Sequence, residues 1–205
     1  MVLGGRELRV GRFLGFGAGH NVYRVVDSAS PDNDELVLKV AVDGEWQLEN
    51  ERNVLKAMDG VPGMPRYVAH GRLQGCGLHA LLTQGTGTPL SRLIVTGGCC
   101  LQDVLRWLQS AEDILRALHR RGFVHGDLKP EHILINARGP LLIDFGSSVR
   151  IGDTYLAHTT GWTSPSRGAA RPHDDFAVLE KMRAHAKERL SNKSRTDRME
   201  VERKR

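Results

Sequence analysis

The stretch His125-Gly126-Asp127-Leu128-Lys129-Pro130-Glu131-His132-Ile133-Leu134 decides how this 205-residue chain is read. Asp127 is a loop carboxylate, Lys129 is a cation two positions on, and a short apolar strand follows at 133–135. Seventeen residues beyond Asp127, a second apolar strand, Leu141-Leu142-Ile143, runs into Asp144-Phe145-Gly146. Two loop carboxylates, each beside a short apolar strand, suit metal-assisted phosphate chemistry. One orients an attacking hydroxyl and the other holds a divalent cation on the phosphates. Lys129 then neutralises charge on the transferring group. The plainer alternative is a pair of solvated turn aspartates, and the features upstream weigh against it.

Residues 8–14 (LRVGRFL) and 21–27 (NVYRVVD) are rich in β-branched and aromatic residues. Gly15, Gly17 and Gly19 separate them, which predicts a hairpin with a glycine-rich turn. With no Cβ in the way, backbone amides of such a turn approach phosphate oxygens closely. By itself, a hairpin with glycines in its turn is the commoner explanation. A strand follows the glycines where a dinucleotide fingerprint requires a helix, which argues against that site. Residues 36–42 form a third strand carrying Lys39 among apolar neighbours. A lysine there needs a partner for its ammonium unless the strand is an exposed edge. Glu51, twelve residues on, is a candidate partner in a helix predicted over 45–58 and stopped by Gly60 and Pro62.

Further strands are predicted at 66–70 and 78–83, then a flexible stretch at 84–89 that marks the boundary between two lobes. Leu101, Val104, Leu105, Leu108, Ala111, Ile114, Leu115 and Leu118 have the spacing of a long amphipathic helix over 101–120, ended by Gly122. Another helix is predicted over 174–190, and the loss of apolar residues beyond Ser191 predicts a frayed tail. The expected fold class is α+β: a strand-rich lobe over 1–84, a helical lobe over 85–190 and a basic tail over 191–205.

Composition narrows the function classes. Apolar residues make up 40% of the chain, enough for a core. No apolar run approaches the ~20 residues needed to span a bilayer. The N-terminal MVLGGRELRV lacks the apolar stretch of a secretory signal. Cys76, Cys99 and Cys100 form no framework, and the odd count suggests free thiols in a reducing compartment. A disulfide-stapled secreted domain, a membrane protein and a mostly disordered chain are disfavoured. An intracellular location, cytoplasmic or nuclear, is expected. The net charge of +5 comes from the tail: residues 181–205 hold ten Lys/Arg against four Asp/Glu. A solvated basic tail is the simpler reading, and nucleic acid is expected only through it.

The glycine loop, Lys39, Glu51, the Asp127 loop and Asp144-Phe145-Gly146, in that order, resemble the eukaryotic-type protein kinases over roughly residues 8–180. The resemblance implies a bilobal kinase fold and transfer of the ATP γ-phosphoryl group to Ser or Thr of a protein substrate with Mg²⁺, the nucleotide lying near residues 84–90. By position, Gly15, Gly17, Gly19 and Val22 would cover the nucleotide. Lys39 would hold the α- and β-phosphates while paired with Glu51, and Leu134 would pack under the adenine. Asp127 would be the catalytic base, Lys129 the γ-phosphate contact and Asp144 the Mg²⁺ ligand, with His132 at the second metal position. Residues 160–166 resemble a degenerate end of the activation segment. Asp175 resembles the aspartate that braces the catalytic loop, a helix N-terminus with two capping aspartates being the alternative.

The chain departs from that family at four points. His132 stands where the family has the Asn that ligates a second Mg²⁺. Imidazole suits Mg²⁺ poorly, so transfer is expected to be slowed, or replaced by nucleotide binding alone. Gly126 replaces the Arg that receives an activation-loop phosphate, so no activating phosphorylation is expected. The His-Gly-Asp form also occurs in aminoglycoside and choline phosphotransferases and in a small kinase of tRNA modification. Ser166 replaces a Glu whose partner helix is also missing. That implies an abbreviated helical lobe, with apolar surface for a protein partner or a self-contact to cover. Val37, in place of a small residue, narrows the adenine pocket. Three functions stay open: a Ser/Thr protein kinase of reduced activity, an ATP-binding pseudokinase acting as a regulatory module, and an atypical small-molecule or RNA-linked phosphotransferase.

Overall fold

The computed structural model describes residues 1–17, 19–30, 35–155, 162 and 168–203, with side chains described as far as Ser191. The first half is a six-stranded antiparallel sheet: β1 (Val2–Leu3), β2 (Arg6–Gly17), β3 (His20–Asp27), β4 (Leu36–Ala41), β5 (Arg66–Arg72) and β6 (His79–Gln84). Their spatial order is β1-β2-β3-β4-β6-β5. The predicted glycine hairpin is β2–β3, paired from Leu8 with Asp27 to Gly17 with His20. Alternation on β4 sorts its side chains. Leu36, Leu38 and Val40 enter the upper apolar core with Leu8, Val25 and Leu82. Val37 and Lys39 turn the other way and line a cleft.

Helix α1 (Glu45–Ala57) crosses this sheet, and buries Leu48, Val54 and Leu55 together with Glu51. Its apolar side joins the larger core, which also takes residues from both sides of position 84. Helix α3 (Leu101–Arg120) has the bounds the apolar spacing predicts, with Val104, Leu108, Ala111, Ile114, Leu115 and Leu118 all buried. It begins in a capping box. The Cys100 N–H and Sγ–H both donate to the Asp103 carboxylate, so this thiol has a partner at the start of the helix. All three cysteines are free. Helix α4 (Pro172–Arg203) lies against α3, with Val178, Leu179, Met182, Ala186 and Leu190 in the core. Glu112 is clamped between Arg116 at 2.5 Å and Arg183 at 2.7 Å. Among the described residues, no helix is long and apolar enough to cross a membrane.

Three expectations are corrected. The 84–89 stretch is pinned, not flexible: Gly85 N–H donates to Glu35, and Asn136 donates to the Thr86 carbonyl. Thr88 and Pro89 form β7 (Thr88–Pro89), paired with β9 (Ile133–Asn136). Its glycines suggest mobility, but tertiary hydrogen bonds override local composition. Next, a short helix α2 (Leu90–Thr96) follows where none is predicted; it buries Leu90 and Ile94. Lastly, α4 runs on past Ser191 to Arg203 instead of fraying. That extension contains no Gly or Pro, and a nucleated helix propagates cheaply through Lys, Arg and Glu.

The remaining strands are β8 (Phe123–Val124), β10 (Gly139–Leu142) and β11 (Val149–Arg150). The hairpin β9–β10 is the predicted pair around the Asn136 to Pro140 turn, while β8, just before the Asp127 loop, pairs with β11. Of the predicted segment at 160–166, Trp162 alone is described. It packs against the core, with His185 edge-on at 5.6 Å; the readings on Thr160, Ser164 and Ser166 lie outside the described residues. So do the side chains on which a nucleic-acid contact by the tail depends. The architecture is α+β, as predicted.

Candidate active site

Lys39 is buried on β4, and its ammonium lies 2.6 Å from Glu51 and 3.1 Å from Asp144. Helix α1 carries Glu51 beneath the sheet, so the predicted pair across twelve residues is real, and Asp144 joins it from the far half of the chain. Burial works against the Lys39 charge, but the two carboxylates outweigh it and hold the pKa above its ordinary value. Burial also opposes the Asp144 carboxylate. There the Lys39 ammonium and the His132 ring prevail, and its pKa sits well below the usual range. Asp144 has φ 69°, the single positive value outside glycine among the described residues. Such strain, of order 1–3 kcal/mol, persists only where surroundings enforce it.

That enforcement comes from Asn50, which sequence reading missed. Its Nδ2 donates to the carbonyls of Phe145 (3.3 Å), Gly146 (3.0 Å) and Ser148 (2.7 Å). One helix thus supplies the partner of Lys39 and, next to it, the brace for the turn that carries Asp144. The only sequence signal for Asn50 is a polar residue adjoining Glu51 on a helix that must face inward.

The Asp127 loop is held from α4. The buried Asp175 carboxylate accepts the N–H groups of His125 (2.9 Å) and Gly126 (3.3 Å), and lies 2.8 Å from His119 Nε2. The bracing role predicted for Asp175 is therefore seen. Asp174 does the capping, accepting from the Arg171 N–H and the Tyr155 hydroxyl. Gly126 has φ 79°, and a Cβ there would lie 2.6 Å from the Ser147 carbonyl oxygen. The backbone therefore requires glycine at this position. His125 is fully buried against Phe145, its Nε2 3.1 Å from the Ile143 carbonyl, and burial pushes its pKa down. Lys129 Nζ lies 3.2 Å from the Asp127 carboxylate. His132 Nδ1 donates to the Asp127 carbonyl at 2.8 Å, and its Nε2 lies 3.1 Å from Asp144.

Above these groups opens a cleft of about 730 Å³, bounded by the hairpin on one side and residues 85–89 on the other. Gly15, Gly17, Val22, Lys39, Glu51, His132, Leu134 and Asp144 all line it, as do Val37 and Thr83, which face each other across β4 and β6. Gly19 does not line it. Gly19 (φ 84°) packs its Cα against the Asp43 carbonyl, and accepts from the Val42 and Asp43 N–H groups. His20 lines the cleft instead, and a Cβ on Gly17 would overlap its ring. One reason for glycine at 17 is thus a neighbouring imidazole, a packing relation invisible in a linear pattern.

The cleft has the size of a small-molecule site and a buried cation in its wall, which suits a triphosphate. The Asp144 carboxylate offers the hard oxygens Mg²⁺ prefers, whereas the imidazole of His132 does not. Among the described residues, Asp127, His132 and Asp144 are the one group of metal-ligating side chains, their donor atoms all within 4.8 Å of one another.

Comparison with known proteins agrees with this geometry. A family model described as a phosphotransferase enzyme family matches residues 97–185. The serine/threonine-protein kinase Kist of Rattus norvegicus is 28% identical over 181 residues, covering 78% of this chain and 43% of that protein. A probable cAMP-dependent protein kinase catalytic subunit of Encephalitozoon cuniculi is 31% identical over 179 residues, covering 80% of this chain and 53% of that protein. The chain thus spans about half the length of these relatives.

Proposed function

We propose that this chain, which is similar to protein kinase-like phosphotransferases, transfers the ATP γ-phosphoryl group to a Ser or Thr hydroxyl of a protein substrate, at a reduced rate. The observation that carries this reading is the meeting of Lys39, Glu51, Asp144 and His132 in the wall of one cleft, with the Asp127 carboxylate beside them, 3.7 Å from His132. Lys39, charged and fixed by two carboxylates, binds the α- and β-phosphates. Gly15, Gly17 and Val22 close over the nucleotide, and Leu134 lies against the adenine. Asp127 orients the acceptor hydroxyl and takes its proton. The hydroxyl oxygen bonds to the γ-phosphorus as the bond to the β-phosphate oxygen breaks, and ADP leaves. Lys129 offsets charge on the group in flight. Asp144 is the residue to hold Mg²⁺, which when bound would neutralise phosphate charge. His132 in place of an oxygen ligand is the reason for the reduced rate. An intracellular setting, where ATP is at hand, goes with this reading.

A second reading has two observations in its favour. Glycine is required at 126, and the family-model match covers the catalytic half of the chain. Both suit a phosphotransferase acting on a small molecule. Incubation with γ-³²P-ATP separates the possibilities. Label on Ser or Thr of a generic protein substrate supports the main reading, and label on an aminoglycoside or choline alone supports the second. Saturable ATP binding, without label on either acceptor, indicates a pseudokinase.

A further inference from the structure

The donor set at the second cation position disagrees with a second Mg²⁺, and the disagreement has a direction. His132 Nδ1 donates to the Asp127 carbonyl oxygen at 2.8 Å, which fixes both tautomer and ring orientation. Its Nε2 is thereby aimed at Asp144 Oδ2, 3.1 Å away. A ring N–H tied to a backbone carbonyl is how metal-ligating histidines are held; without an ion Nε2 hydrogen-bonds to Asp144 Oδ2, and a bound cation would take the place of that hydrogen. The ring cannot easily swing aside. It is buried, and stacks on His125 with centroids 6.0 Å apart. Asp144 also divides its oxygens: Oδ1 serves Lys39 and Oδ2 faces His132. A cation between Oδ2 and Nε2 therefore leaves the Lys39 pair intact. Two neighbouring ligands about 2.1 Å from a metal lie roughly 3.0 Å apart at a right angle, close to the separation seen.

We propose that the His132–Asp144 position takes a divalent first-row transition cation, Mn²⁺ for example, in preference to Mg²⁺. The assignment rests on the phosphotransferase reading for its biological sense, since a bound nucleotide would share the ion. Its test does not depend on that reading. Mg²⁺ sheds water reluctantly and selects oxygen, whereas an imidazole among the donors favours ions that accept nitrogen.

The test uses the full chain without nucleotide. Mn²⁺ is titrated in and followed by the EPR signal of the free aqua ion, with Mg²⁺ as competitor; pulsed EPR then reads any ¹⁴N coupling from a bound imidazole. We expect one Mn²⁺ site with ¹⁴N coupling. In His132→Asn, with an unchanged circular dichroism spectrum, the coupling should vanish and the Mn²⁺ over Mg²⁺ preference should fall at least about tenfold. Wild-type protein that binds no Mn²⁺, or binds it without ¹⁴N coupling, overturns the proposal, as does an unchanged preference in His132→Asn. If His132→Asn fails to fold, the wild-type ¹⁴N coupling decides. Absence of phosphoryl transfer would count against the proposed function and leave this result standing.

Discussion

The Asp175 carboxylate accepts the backbone N–H of His125 at 2.9 Å, joining α4 to the catalytic loop across fifty positions of sequence. The same carboxylate takes the Gly126 N–H and meets His119. Asp175→Ala orphans three buried donors, each worth about 1–3 kcal/mol when left unsatisfied. A urea-unfolding loss of about 3 kcal/mol or more is expected, with a smaller loss in Asp175→Asn, which keeps one acceptor. Equal and small losses in both would show that the loop holds itself.

Asn50 acts as a donor to three carbonyls, so charge and acceptor capacity are of no use there. Asn50→Asp should be at least as harmful as Asn50→Ala. Both should lower kcat at least about tenfold, because the Asp144 turn relaxes from its strained conformation. Steady-state kinetics checks this, and Asn50→Asp with wild-type kcat would contradict it.

Gly126→Ala places a methyl 2.6 Å from a backbone oxygen at a left-handed φ. A stability loss of about 1–3 kcal/mol is expected by urea unfolding. A neutral result would mean that the loop has another conformation within easy reach.

Much of this site was legible in the sequence, for a physical reason. Lys39, Glu51, Asp127 and Asp144 are costly residues to put in or beside buried strands, so each announces a partner, and the structure supplies the partners. The helix over 101–120 was equally plain, because its apolar spacing directly encodes the buried face. What escaped was set by tertiary contact. Asn50 is an ordinary helix-surface residue until the Asp144 turn arrives beside it. Gly19 and His20 exchange roles only because the Asp43 carbonyl crowds one and Gly17 makes room for the other. The stretch at 84–89 reads as mobile, and is tied down by β9 and Glu35.

The pH dependence of stability carries a signature of His125. Burial holds its imidazole below the ordinary value of 6.5. As pH falls below that value the unfolded chain takes up a proton that the native site refuses. Stability therefore declines toward acid, by at most about 1.4 kcal/mol per pH unit from this one group. Lys39 and Asp144 act elsewhere. The raised Lys39 pKa gives a contribution complete below 10.5 and lost as pH rises beyond it. The lowered Asp144 pKa gives one complete above 3.8 and lost below it. Urea unfolding between pH 5 and 7 should show a flatter slope in His125→Gln than in the wild type. Parallel slopes would contradict the assignment.

In the proposed reaction Lys39, Asp127 and Asp144 gather around one triphosphate and move its terminal group. Its most direct measurement is a single-turnover assay with γ-³²P-ATP, comparing wild type with Asp127→Asn at saturating nucleotide. Transfer by the wild type is expected, with a loss of at least about a hundredfold in the variant and nucleotide affinity little changed. Equal transfer rates in the two proteins would contradict it.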